Sequence, residues 1–275
     1  MGSIIKVENL SKKFGKKTIL SGVDVEFKQG ESVAIIGNNG TGKSTFLRML
    51  CGLATISGGE IIKDRNIKFN YIPENYSKLN LTVEEYMKSM GELERLSKED
   101  YHKRIKELYR EFYLENMRDV PMKYLSKGTL QKVAVLQGLI TKPDVLLLDE
   151  PLSGQDIDSQ KNFIRIVKDL IAQGVTVIMS CHEILLVEEL SSRVLKIENQ
   201  KLVELKKTKL EEFIYSLMIF EKKERSNINL EWELKGIGEY YEEGDLLKVK
   251  VRENKGNEIL LKMLQHGYLL KYFKE

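Results

Sequence analysis

Residues Gly37 to Thr45 read GNNGTGKST. Gly37, Gly42, Lys43 and Ser44 fit the pattern G-x-x-x-x-G-K-[ST], in which glycines let backbone N–H groups turn inward around phosphate oxygens. The apolar run SVAIIG leads into the loop, and Phe46, Leu47, Leu50 and Leu53 follow it at helical spacing. A strand, a glycine-rich loop and a helix in that order place the positive end of the helix dipole behind the bound anion. Gly37, Asn38, Asn39, Gly40, Thr41, Gly42, Lys43, Ser44 and Thr45 are therefore expected to form the phosphate cradle. Within it Lys43 reaches the β and γ phosphates. Ser44 offers its hydroxyl to Mg2+, a hard cation that takes oxygen ligands.

Further along, VLLLDEP (145–151) is an apolar strand that delivers two consecutive carboxylates at its carboxyl end, the rim where open α/β sheets bind ligands. Asp149 is placed to hold Mg2+ and Glu150 to orient or deprotonate an attacking water. Alternation along a strand is expected to point the two in different directions. A second apolar run, VTVIMSCH (175–182), lies beyond the helix-like DSQKNFIRIVKDLIAQG. Continuous apolar strands between helices belong to a parallel sheet covered on both faces, so the fold class is α/β.

Around this core, residues 4–37 read as short strands with turn signals, an antiparallel β-rich portion. Thr82 to about Met117 is polar and helical, with Glu85 three residues after Thr82 as in a capping box. A helix over Thr129–Ile140 is expected to end at Pro143. Past Val203 the chemistry fades; 210–220 is amphipathic, LLKVKV reads as a strand, NEILLKMLQHG as a helix and YLLKYF as a last strand. The expected division is thus 1–209 and a small α+β appendage over 210–275.

Lys and Arg number 44 against 41 acidic residues in 275, a net charge of +3, too balanced to mark a nucleic-acid binder. Cys51 and Cys181 are the two cysteines and read as reduced thiols of a cytoplasmic protein. No apolar run approaches the roughly 20 residues needed to cross a bilayer.

Between the phosphate loop and VLLLDEP lies LSKGTLQK (125–132), after it LSGQD (152–156), and SCHE carries His182. With these in order, the chain resembles the ATP-binding cassette (ABC) ATPases over residues 14–182: LSKG is similar to their signature, LSGQD to their D-loop, and His182 stands at their switch histidine. The resemblance implies a P-loop NTPase with a RecA-like parallel sheet, an N-terminal antiparallel β subdomain and a helical subdomain over about 75–141. It implies ATP and Mg2+ as cofactors, Phe14 stacked on adenine, and Lys43, Glu150 and His182 as the catalytic residues. Ser126, Lys127 and Gly128 would meet the γ phosphate of an ATP held by a second cassette, homodimeric or heterodimeric, which Asp156 also contacts.

This sequence departs from the pattern at Lys127 and Thr129. Glu74 in YIPENY (71–76) stands where a metal-contacting glutamine is usual. The YIPEN and LSKG forms resemble bacterial ABC-2 type exporters of drugs, antimicrobial peptides or lipids, with permease subunits on separate chains and the ATPase at the inner face of the membrane. A soluble cassette protein of translation or DNA maintenance is the alternative, and a regulatory role for the appendage is a third possibility.

Overall fold

Three β elements precede the phosphate loop. β1 (Ser3–Phe14) and β2 (Lys17–Lys28) form a long antiparallel hairpin, and β3 (Ser32–Ile36) enters a different sheet. In the computed structural model the described residues are 2–152, 154–181, 184–205, 215–222, 234 and 238–274. Two units divide the chain, Met1–Glu204 and Leu205–Glu275, ahead of the boundary expected after 209.

The first unit holds a three-stranded sheet of order β2-β1-β4 and a six-stranded sheet of order β5-β6-β7-β3-β8-β9. Here β4 is Gly58–Lys63, β5 Phe69–Ile72, β6 Val145–Asp149, β7 Thr176–Ser180, β8 Arg193–Glu198 and β9 Lys201–Leu205. The pairs β5/β6, β6/β7, β7/β3 and β3/β8 are parallel. β6 and β7 are buried along their whole length, which is why their sequences are continuous apolar runs without alternation.

Helix α1 (Lys43–Leu50) starts directly from the loop and buries Phe46, Leu47, Met49 and Leu50. These join Ile5, Leu20, Phe27, Val33, Leu147 and Ile178 in a core shared by the hairpin and the parallel sheet. Each such side chain contributes about 1.5–3 kcal/mol when fully buried, so the loop is anchored on both sides.

Helices α2 (Val83–Leu93) and α3 (Lys98–Glu111) form the polar helical region, and α4 (Lys127–Leu139) follows the signature-like motif. α4 buries Leu130, Gln131, Val133, Ala134, Val135, Leu136, Gly138 and Leu139, as a helix surrounded by protein does. Helices α5 (Ile157–Ala172) and α6 (Ile184–Leu190) complete this unit. Cys51 and Cys181 are free thiols.

The second unit is an antiparallel sheet of order β11-β12-β10-β13, with β10 at Tyr215–Glu221, β11 at Gly238–Glu243, β12 at Leu246–Arg252 and β13 at Leu269–Lys274. Helix α7 (Glu253–Gln265) packs Ile259 and Met263 onto Met218, Phe220, Leu247 and Val249. β11 was not apparent in the sequence; GEYYEE is charged, and pairing to β12 makes it a strand.

The capping box at the start of α2 forms in full. Thr82 Oγ1 accepts from the Glu85 backbone N–H at 3.1 Å, and the Glu85 carboxylate accepts from the Thr82 N–H at 2.8 Å. Thr82→Ala is expected to cost about 1 kcal/mol. Urea unfolding and amide exchange in the first turn of α2 measure it, and an unchanged midpoint with unchanged exchange rejects the cap as a stabilising feature.

Candidate functional site

Four elements converge on one carboxylate. Asp149, the last residue of β6, is fully buried. Its Oδ1 accepts from the Ser44 hydroxyl of α1 at 2.8 Å and from the Ser180 hydroxyl of β7 at 2.6 Å. Its Oδ2 accepts from the Tyr71 hydroxyl of β5 at 2.7 Å. The sheet order places β6 between β5 and β7, so Tyr71 and Ser180 flank Asp149 from the two neighbouring strands.

Glu150 takes a different course. Its φ is 48°, a left-handed conformation that costs a non-glycine residue about 1–3 kcal/mol and concentrates at functional sites. Its N–H donates to the Ser180 carbonyl at 3.0 Å, which holds the turn. The separation of the two carboxylates was expected from strand alternation. It comes instead from this turn, because β6 ends at Asp149 and Glu150 has already left the strand. The Glu150 carboxylate stands 3.8 Å from Lys43 Nζ.

Lys43 is 5 % exposed and donates to the Gly37 carbonyl at 2.8 Å and the Asn38 carbonyl at 3.4 Å. Burial holds its ammonium below the usual lysine value, against the pull of Glu150 and Asp149. An anion beside a desolvated ammonium is strongly favoured. Gly42 opens α1 at φ 107°, and a Cβ there would lie 2.5 Å from Ile19 Cγ2, so glycine is required by both backbone and space. Thr41 turns back to the Asn38 carbonyl through its N–H at 3.3 Å and its hydroxyl at 2.8 Å.

A cleft of ≈ 360 Å³ opens over these groups. The loop lines it with Asn39, Gly40, Gly42, Lys43, Ser44 and Thr45, and Ile19, Glu74 and Glu150 complete the wall. Glu74 thus reaches the same cleft as Ser44. Among the described residues no group of three or more His, Cys, Asp or Glu forms a metal site by itself. The donors present, the Ser44 hydroxyl and the Asp149 carboxylate 2.8 Å apart, are hard oxygens that fit Mg2+ held jointly with phosphate.

Other expected residues stand elsewhere. Phe14, at the end of β1, is 55 % exposed and is not part of the cleft lining; the Lys12 ammonium sits 4.7 Å from its ring centroid. Ser126 caps α4, its hydroxyl accepting from the Thr129 N–H at 3.1 Å, and Ser126 and Lys127 are exposed. Ser126, Lys127 and Gly128 do not line the cleft. Gly128 lies against the D-loop; a Cβ on it would come 2.1 Å from the Gly154 carbonyl oxygen.

Asp156, expected to contact a second subunit, is engaged within the chain. It caps α5 through the Ser159 N–H at 2.9 Å and pairs with Lys132 of α4 at 2.6 Å, and the Lys132 ammonium holds its carboxyl down to about 2. His182 lies outside the described residues. Tyr71 was not anticipated, nor was Arg48, whose Nε donates to the Tyr71 hydroxyl at 3.1 Å. The aromatic residue at the end of a strand beside β6 was the available signal, but β5 itself was not legible.

Comparison with known proteins gives the family. The sequence profile of the family described as ABC transporter matches residues 20–153. An ABC transporter ATP-binding protein of Methanocaldococcus jannaschii, itself described as uncharacterized, is 36% identical over 200 residues, 72% of this chain and 76% of the relative. The zinc import ATP-binding protein ZnuC of Rickettsia bellii is 34% identical over 196 residues, 70% of this chain and 82% of the relative. Among solved structures, a dimeric post-hydrolysis ATP-binding cassette bound to ADP and Pi superposes with a TM-score of 0.65 at 25% identity, over 74% of this chain and 98% of that one. With its phosphate loop, buried Asp149 and adjacent Glu150 in place, the chain belongs to the ABC transporter ATP-binding proteins and is an ATPase subunit of that family.

Proposed function

We propose that two cassettes close around two ATP molecules and that their closing and opening drives separate membrane subunits. The observation that carries this is the division of the site: the cleft holds Lys43, Ser44, Glu74 and Glu150 but none of Ser126, Lys127 or Gly128. The N-terminus of α4 is an anion-binding end, and its exposed Ser126 and Lys127 are available to a phosphate held on another chain.

In this reading Lys43 and the loop N–H groups hold the β and γ phosphates, and Phe14 stacks on the adenine. Ser44, Asp149 and Glu74 would hold Mg2+, which would supply charge neutralisation for the phosphates. Glu150, held off the strand by its left-handed turn, accepts the proton of the attacking water. The resemblance of SCHE to the family's switch-histidine segment supports a contact of His182 with the γ phosphate.

The membrane partner is proposed for a groove of ≈ 460 Å³ between β5 and the helical region, walled by Tyr71, Pro73, Tyr76, Met90 and Leu93. Leu53 and Leu93 on its rim are 64% and 73% exposed, apolar area that an apolar-faced cytoplasmic helix of a permease would cover. Among the described residues no helix is long and apolar enough to cross a membrane. Export draws its support from the LSKG and YIPEN forms alone; the R. bellii relative is named for import.

Three outcomes follow. Glu150→Gln should bind ATP with Mg2+ yet hydrolyse it at least about a hundredfold more slowly and accumulate as a dimer by light scattering; a monomer under saturating ATP argues against the shared site. Leu93→Glu should release the chain from its co-purifying membrane protein while ATP binding persists, and undiminished co-purification rejects the groove. In vesicles reconstituted with that membrane protein, ATP supplied on the cassette side should move cargo away from the cassettes; movement towards them overturns export.

A further inference from the structure

One side chain of the groove wall bonds the buried carboxylate of the site. Tyr71 forms part of the groove wall, while its hydroxyl donates to Asp149 Oδ2 at 2.7 Å. Arg48 Nε donates to that hydroxyl oxygen at 3.1 Å, so the single phenolic proton is left for the carboxylate.

Tyr71 is, among the described residues, the donor to Oδ2; Ser44 and Ser180 both serve Oδ1. A carboxylate bonded at one oxygen still swings about that oxygen, whereas a bond at each oxygen sets its plane. The backbone that follows Tyr71 is tied to the site as well. Two residues on, the Pro73 carbonyl accepts from Gln131 of α4 at 2.8 Å, and the next residue, Glu74, lines the cleft. Tyr71 therefore joins the apolar wall to the carboxylate through one rigid ring, with no flexible link between them.

We propose that Tyr71 is a positioning residue: its hydroxyl sets the plane of the Asp149 carboxylate for Mg2+, and its ring carries the state of the groove to that carboxylate. The proposal rests on the partner-facing reading of the groove only for the identity of the occupant.

The test uses the full chain with a non-hydrolysable ATP analogue and Mn2+ followed by electron paramagnetic resonance. Tyr71→Phe keeps the ring and removes one oxygen. It should raise the Mn2+ dissociation constant about tenfold, the worth of a hydrogen bond to a charged group. Affinity for the analogue without metal should stay within about twofold, since the same bond makes no contact with nucleotide. Met90→Trp narrows the groove from α2. It should shift the Mn2+ constant about threefold or more in the Tyr71 chain and leave it unchanged in the Tyr71→Phe chain, a coupling read by a double-mutant cycle.

Wild-type Mn2+ affinity in Tyr71→Phe overturns the positioning role, and equal Met90→Trp shifts in both backgrounds overturn the link to the groove. Thermal melts of each variant separate these readings from loss of fold. No membrane partner enters this experiment, so its failure is distinct from failure of the groove as a docking surface, which co-purification of Leu93→Glu decides.

Discussion

A carboxylate with no exposure to water must be neutralised or fully hydrogen-bonded, because an isolated buried charge is among the costliest features of a protein interior. Asp149 meets that requirement with hydroxyl donors from α1, β5 and β7. This one constraint explains much of the surrounding arrangement. β6 must lie between β5 and β7, the helix after the phosphate loop must start close to the end of β6, and the donors must be small or rigid. The same convergence brings Lys43 within 3.8 Å of Glu150, so the groups proposed to grip phosphate and to activate water share one frame.

α4 distributes the consequences. Its Gln131 holds the Pro73 carbonyl ahead of Glu74, its Lys132 holds Asp156 at the end of the D-loop, and its Gly128 lies against Gly154. A partly exposed ion pair such as Lys132–Asp156 adds little stability. Its value is geometric, since it joins the signature end of α4 to the start of α5. Helix, loop and strand ends are thereby connected through contacts of a few ångströms, and any movement of α4 reaches both Glu74 and the D-loop.

Local chemistry explains which features were legible in sequence. The phosphate loop, the apolar strands β3, β6 and β7, the Thr82–Glu85 capping box and α7 each depend on residues close together in the chain. β4, β5 and β11 were missed for the opposite reason. GGEIIK, FNYI and GEYYEE lack a strong pattern of their own, and they become strands because β1, β6 and β12 offer ladders to pair with. Tyr71 was hidden with β5, and the left-handed turn at Glu150 was hidden because nothing in DEP signals a positive φ.

The sequence by itself determined the family, the glycine-rich loop and the paired carboxylates, since these follow from residue types at fixed spacing. Only the tertiary structure decided that Asp149 is held at both oxygens, that Ser126 to Gly128 stand apart from the cleft of their own chain, and that one tyrosine spans groove and site. The physical reason is distance along the chain. Ser44, Tyr71, Asp149 and Ser180 lie on four separate elements, and only the tertiary arrangement brings the three hydroxyls within 2.6–2.8 Å of the Asp149 carboxylate.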